Sequence, residues 1–382
     1  MQFSQNFKRI FYIISFILFG SLYPVLSSVI LTSSWPYKKK LTMRFKKPWF
    51  QMWLMNLAMC FFILPGLIHS ILSKDKNNKY TFLHLLRVTG IPSICSIFSV
   101  VLQNYGLLSM PPTVWQVFFG FKILFACLFA MTIRKQQLFI VDWLGLFVSV
   151  AGMSFSGVAA LLRGASPDTV NDVSETFFAF IIVIISHGVS AFQSILEEKI
   201  LRTTNMGPSQ LTGLEGLWGF FLGTFVALPF FNIVSVQNSL GLYENTIETF
   251  QLLGKSGLLI GLLIIYMVSI SLYQYFGIGV TELSTALQRN IYEILRPFFV
   301  WILSLIAQRF TETVNEPLDK YTPLEIGGFF LSLIGLFIYN GIIRFSCFIY
   351  SDEPVSAEQL QLRTDEIGTS LFSEYPQNHS HD

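Results

Sequence analysis

Arg289, Glu293 and Arg296 lie inside an otherwise apolar stretch, Leu283 to Trp301, that reads LSTALQRNIYEILRPFFVW. On one continuous helix the positions i, i+4 and i+7 share a face within about 60° of arc. A charge near a bilayer centre costs about 2.5–3.5 kcal/mol on insertion scales, so three on one face must look inward. Two chemistries fit the pattern. Glu293 can pair with an arginine and pin neighbouring helices, or the surplus positive charge can line a polar path that accepts an anionic group. In the second case Arg296, Arg289 and Lys122 supply countercharge and Glu293 orients the arginines. Tyr292 and Gln288 are the adjacent hydrogen-bonding groups.

Other polar residues interrupt apolar runs elsewhere. Lys122 has about ten residues of its run on either side, too far from the ends for simple snorkelling. His187 reads as a hydrogen-bonded packing residue rather than a proton carrier. Glu215 sits in GLEGLWGF, where Gly213, Gly216 and Gly219 allow a close helix contact that does not itself explain the acid. Glu197, Glu198 and Lys199 end a run and read as solvated at the membrane surface.

These residues need long helices to carry them. Of 382 residues, 52% are hydrophobic and 13% are charged. A soluble domain carries about 25% charged residues, so the composition is that of an integral membrane protein. The 39 phenylalanines suit a lipid-facing surface. Runs of about 20 apolar residues, enough to cross a bilayer, recur ten times: 10–31, 48–72, 84–104, 113–132, 138–162, 176–197, 212–233, 257–277, 284–307 and 323–345. The first is too long for a signal-peptide core and reads as a span. A Pro111-Pro112 turn joins the third and fourth, and a similarly short link joins the eighth and ninth, so each pair should form a hairpin. Cys60, Cys95, Cys127 and Cys347 lie in apolar runs without metal-ligand spacing and read as buried free thiols.

The last 32 residues hold seven acids against one base, Arg363, which leaves the body about eight positive charges by difference. That body attracts anionic lipid or an anionic solute. Lys and Arg counts by loop are nearly balanced, because Lys38, Lys39, Lys40, Arg44, Lys46 and Lys47 oppose the bases on the terminal side. Both termini are placed in the cytosol, where the sequon at Asn378 would stay unmodified.

An internal repeat organises the spans. Asp142, Gly145, Phe147, Ser149 and Gly152 recur in register as Glu325, Gly328, Phe330, Ser332 and Gly335, at an offset of 183. Gln103 and Gly106 recur as Gln274 and Gly277, at an offset of 171. Two halves of five helices place the second upside down relative to the first, as in secondary transporters, with a solute site near the midplane. The expected fold is therefore an all-α membrane protein with ten transmembrane helices in two inverted five-helix repeats. Its parts are a cytosolic N-terminus (1–9), a first repeat (10–162), a connecting loop (163–175), a second repeat (176–345) and an acidic disordered cytosolic tail (346–382).

Four stretches follow the order and spacing of one family. They are Glu197-Glu198-Lys199, then Gly213 to Phe220, then Gly277 to Ser284, and finally Tyr339-Asn340-Gly341. Over residues 10–345 the chain resembles the solute carrier family 35, subfamily F, member 6-like branch of the drug/metabolite transporter superfamily. The resemblance implies ten helices in inverted halves, alternating access, a nucleotide-sugar-like solute and an endomembrane location such as lysosome, vacuole or Golgi. It also implies that Glu293 and Arg296 match an acid and an arginine of the family's ninth helix. The family's fourth-helix arginine falls on Phe119 here, with Lys122 three residues on and near the same face.

The reading is a transporter of a small polar, anionic solute, with Glu215, His187, Gln274 and Gln103 as supporting polar groups. No GxxxxGK[ST] signature is present, so a solute or ion gradient would drive it. No HExxH or GxSxG motif suggests an enzyme. No cofactor, metal or nucleic acid is expected; the partners are the lipid bilayer, the solute and, as a homodimer, a second copy. The rival is a non-transporting endomembrane scaffold that binds another membrane protein.

Overall fold

The apolar runs fold as helices, and breaks fall where Pro, Gly or a capping hydroxyl interrupts the hydrogen-bond ladder. A computed structural model describes residues 2–38, 41–65, 82–109, 115, 118–135, 138–164, 173–204, 206–233, 245–309 and 320–344. The Pro111-Pro112 turn, the body of the central connector, Cys347 and the acidic tail lie outside the described residues.

The chain order is α1 (Gln2–Thr32), β1 (Ser34–Lys38), β2 (Leu41–Arg44), α2 (Pro48–Cys60), α3 (Phe82–Ser109), α4 (Phe119–Arg134), α5 (Ile140–Gly164) and α6 (Val173–Thr204). It continues with α7 (Pro208–Leu222), a π-helical stretch (Gly223–Ala227), α8 (Leu228–Ile233), α9 (Thr246–Leu253), α10 (Gly257–Leu283), α11 (Ala286–Tyr292), α12 (Arg296–Ala307) and α13 (Thr322–Tyr339). Among the described residues, nine helices are long and apolar enough to cross a membrane. Helix α4, on the fourth apolar run, has 16 residues, which is about 24 Å at 1.5 Å per residue. Large apolar side chains such as Phe11, Ile14, Leu18, Phe147 and Phe225 remain exposed, as a lipid-facing surface requires.

The all-α expectation needs one correction. Ser34–Lys38 and Leu41–Arg44 pair as an antiparallel hairpin between α1 and α2. Outside a helix, these backbone groups find their partners across the ladder.

Glycines set the closest packing. Helices α5 and α13 run antiparallel, and a Cβ added at Gly145, Gly152, Gly328 or Gly335 would strike the backbone of the other helix. Ser149 Oγ donates to the Ser332 carbonyl at 3.4 Å, and Ser332 Oγ donates to the Ser149 carbonyl at 3.2 Å. Helix α7 lies against α2 in the same manner, with Gly213, Gly216 and Gly219 facing Ile63, Met59 and Asn56. Where α7 loosens into the π-helical stretch, Thr224 Oγ1 accepts from Trp53 Nε1 at 2.8 Å. Around these seams α1 packs on α10 and α12, while α6 packs on α3 and α4.

The Leu283–Trp301 stretch is not one helix. Thr285 Oγ1 caps α11 by accepting from Gln288 N at 3.1 Å. Glu293–Leu295 then tightens into a 3₁₀ turn before α12. Pro297, within the first turn of α12, has no N–H to return to the carbonyl of Glu293, so the ladder breaks there.

Candidate functional site

The helix break positions a buried charge cluster. Lys122 Nζ from α4 donates to both Glu293 oxygens at 2.9 Å. Tyr273, just over halfway along α10, donates its hydroxyl to Glu293 Oε1 at 2.6 Å and accepts from an Arg296 Nη at 3.2 Å. Arg296 lies 3.8 Å from Glu293 and turns its Nε, at 3.0 Å, and an Nη toward the Gly20 carbonyl of α1. The guanidinium is enclosed by the rings of Phe119, Tyr273 and Tyr23, at 4.6, 4.8 and 5.2 Å. Each cation-π contact stabilises a desolvated charge by up to about 2 kcal/mol. Two cations and one carboxylate leave this cluster with one surplus positive charge.

Arg289 makes no hydrogen bond to it; its Nη1 meets Glu197 Oε2 of α6 at 2.5 Å. Its other Nη donates to Gln274 Oε1 at 3.2 Å, while Gln193 Nε2 donates to Glu197 Oε1 at 2.6 Å. Glu293 therefore orients Lys122 and Arg296 rather than both arginines.

Glu197 and Glu198 are not solvated; they are 0% and 1% exposed. Glu198 holds Arg134 at 2.8 Å and Arg202 at 2.9 Å, and accepts from the N–H of Ala286 at 3.1 Å. Helices α4, α6 and α10–α11 converge at that point and exclude water from both acids. Helical spacing could flag two acids in an amphipathic run, but not the remote cations that cover them. A further, part-buried pair joins Lys47, one of the bases in the first loop, to Glu248 of α9 at 3.1 Å.

A cavity of about 30 Å³ lies between these groups, room for roughly one water molecule. Lys122, Arg289, Gln274 and Gln103 contribute to its wall, together with Glu197, Tyr273 and Tyr23, which sequence reasoning did not single out as site residues. Glu293 and Arg296 sit directly behind Lys122 and Tyr273. The other expected residues lie outside the wall. Tyr292 accepts from Arg9 at 3.3 Å and donates to Asn340 at 3.5 Å. Gln288 is half-buried in the first turn of α11. His187 is buried against Phe119 and Trp115, at 4.6 and 6.0 Å between ring centroids. Neither of its nitrogens has a hydrogen-bond partner among the described residues, so it packs without the expected bond. Glu215 is buried in α7. Of the cysteines, Cys127 is buried, while Cys60 and Cys95 are half-buried rather than fully enclosed; all three are free thiols.

Phe119, which stands where the resemblance places an arginine, forms one wall of the Arg296 cage. Lys122, one turn along, supplies a cation to Glu293 instead.

A multi-pass integral membrane protein with ionised groups buried around a central cavity is the class these features define. Residues 51–272 match the profile of the nucleotide-sugar transporter family, and the chain belongs to that family. It is similar to solute carrier family 35 member F6, with 27% identity to the Mus musculus protein and 28% to the Homo sapiens protein over 256 residues. The aligned part covers 66% of this chain and 66% of each relative, just under two thirds of their length. The UDP-N-acetylglucosamine/UDP-N-acetylgalactosamine transporter nstp-4 of Caenorhabditis elegans is 23% identical over 316 residues, covering 79% of this chain and 82% of that protein. A solved crystal structure, 13% identical, shares the fold with a TM-score of 0.55 over 90% of this chain and 99% of that one.

Proposed function

We propose that this protein is a secondary transporter that carries a small polar solute with an anionic group by alternating access. The observation that carries the reading is the Lys122–Glu293 pair. Its members lie 171 residues apart, the same offset that relates Gln103 and Gly106 to Gln274 and Gly277. Two equivalent positions that meet each other lie on the axis relating two halves. The Ser149–Ser332 exchange, 183 residues apart, supports the same arrangement. So does the packing, since the offset of 171 turns α1 on α10 into α6 on α3.

The proposal therefore includes ten crossing helices in inverted halves, 10–162 and 176–345, with 163–175 as connector. The short N-terminus and the acidic tail, 346–382, face the cytosol of an endomembrane, Golgi or lysosome/vacuole. Lys122 and Arg289 meet the anionic group, with Gln274 and Gln103 as hydrogen-bonding neighbours. Glu293 and Arg296 hold Lys122 and Tyr273 in place. Tyr292 and Gln288 flank this site from α11, and Glu215 and His187 support it from α7 and α6. A cavity of about 30 Å³ admits no nucleotide-sugar, so the helices must part for loading. The family and the nucleotide-sugar substrates named for nstp-4 make that class the first to assay.

Counterflow in proteoliposomes tests the reading over nucleotide-sugars, nucleotides and organic anions. Accumulation of one labelled solute against its unlabelled counterpart is expected. No exchange by folded protein across the panel would favour a scaffold.

A further inference from the structure

Glu215 stands apart from the charges described above. It is 1% exposed on α7, and neither carboxyl oxygen has a hydrogen-bond partner among the described residues. Glu197 of α6, which lines the cavity, lies within electrostatic reach, as does its partner Arg289 of α11. Cys95 of α3 interacts with both acids, and Cys60 is the titratable group where α2 meets Gly216. The surroundings therefore hold two carboxyls and one guanidinium. That guanidinium is already committed, because Arg289 and Gln193 occupy both oxygens of Glu197.

An ionised carboxylate with no donor, buried at membrane depth within electrostatic reach of a second carboxylate, is heavily penalised. Both oxygens of Glu197 have partners. Those of Glu215 have none among the described residues. We propose that Glu215 and Glu197 form a proton-binding carboxyl pair that takes up a second proton when an anionic solute group draws Arg289 away from Glu197.

The step balances without covalent chemistry. With Arg289 on Glu197 the pair holds one proton, on Glu215. When the solute anion takes the guanidinium, Glu197 loses its countercharge and binds one proton from the aqueous phase. A single negative charge and one proton then travel together, so the pair is a symport device. By reciprocity of linked binding, acidity tightens the hold on the anion. The inference rests on the transporter reading, but its first test needs no solute.

Infrared difference spectra of the purified full-length protein at neutral pH detect the carbonyl stretch of a protonated carboxylic acid. The unmodified protein should show one such band that is missing in the isosteric variant Glu215→Gln. Arg289→Gln imitates withdrawal of the guanidinium and should give about twice the band area, one increment per protonated carboxyl. The added half should vanish in Arg289→Gln with Glu197→Gln. Identical spectra for the unmodified protein and Glu215→Gln would overturn the proposal even if Arg289→Gln failed to fold. The same preparations, in proteoliposomes, are assayed with UDP-N-acetylglucosamine and the rest of the solute panel for counterflow and, under a solute gradient, for net solute and proton uptake. Net solute uptake down its gradient with no accompanying proton uptake, or with no change in rate between acidic and alkaline media, also overturns it. Absent counterflow with the bands as expected removes the transporter reading and leaves the carboxyl pair standing.

Discussion

The seam between α5 and α13 and the junction between α4 and the α11–α12 break solve the same geometric problem with opposite chemistry. Both join residues a fixed offset apart, 183 at the seam and 171 at the junction. At the seam, glycines strip away side chains until backbones touch, and two serines close the contact with hydroxyl-to-carbonyl bonds. Such a contact needs no charge and gains from dispersion over its whole length. At the junction, Lys122, Glu293 and Arg296 are buried at 3%, 0% and 0% exposure. Apolar residues of similar volume would hold helices together equally well there. The seam is accordingly built for permanence. The junction keeps costly groups, and the proposed transport is what gives them a use.

The largest expected effect falls on the seam. Gly152→Leu should abolish folded protein, because the new side chain meets the Ser332 and Gly328 backbone; overpacking of this kind costs more than about 3 kcal/mol where backbone cannot yield. Gly327→Leu, on the same helix as Gly328 but with open space at its Cβ, should purify normally. Size-exclusion profiles in detergent distinguish them. Equal yields would mean the seam is not tightly packed.

Next comes the junction. Glu293→Gln leaves Lys122 and Arg296 buried without a carboxylate, and should lower stability by about 3–5 kcal/mol. Glu293→Gln with Lys122→Met removes one charge of each sign and should restore most of the melting temperature while transport stays lost. Recovery of transport along with stability would make the junction a structural clamp like the seam.

A smaller effect separates charge from shape. Lys122→Arg keeps a cation within reach of Glu293 and should retain exchange, whereas Lys122→Val should slow it at least about tenfold, or 1.4 kcal/mol. The smallest effect is expected at Arg202, whose side chain is half exposed. Arg202→Ala should change stability by about 0–1 kcal/mol, because Glu198 keeps Arg134 and the Ala286 N–H. A loss as large as that of Glu293→Gln would show that this rim cluster, and not the junction, holds the bundle closed.

Much of this was legible in the residues. The helices fall on the apolar runs, Lys122 is buried as its central position required, and the glycines of GLEGLWGF contact α2 as their spacing implied. Two readings missed remote partners. Glu293 was expected to orient both arginines, but Arg289 turns to Glu197 and Glu293 takes Lys122 instead. Glu197 and Glu198 looked like surface acids because Arg289 and Arg134, which cover them, lie far away in the chain.

Alone, the sequence determined that this chain lives in a membrane, where its helices run, and which charges cannot face lipid. Those properties follow from composition and from a 3.6-residue period that acts within one helix. Tertiary structure decided which charge meets which: Lys122 with Glu293, Arg289 with Glu197, and Glu215 with no hydrogen-bond partner among the described residues. Ion pairs over 90–170 residues depend on how separate helices are rotated and slid against each other. That placement is set by packing over the whole bundle, and no local pattern encodes it.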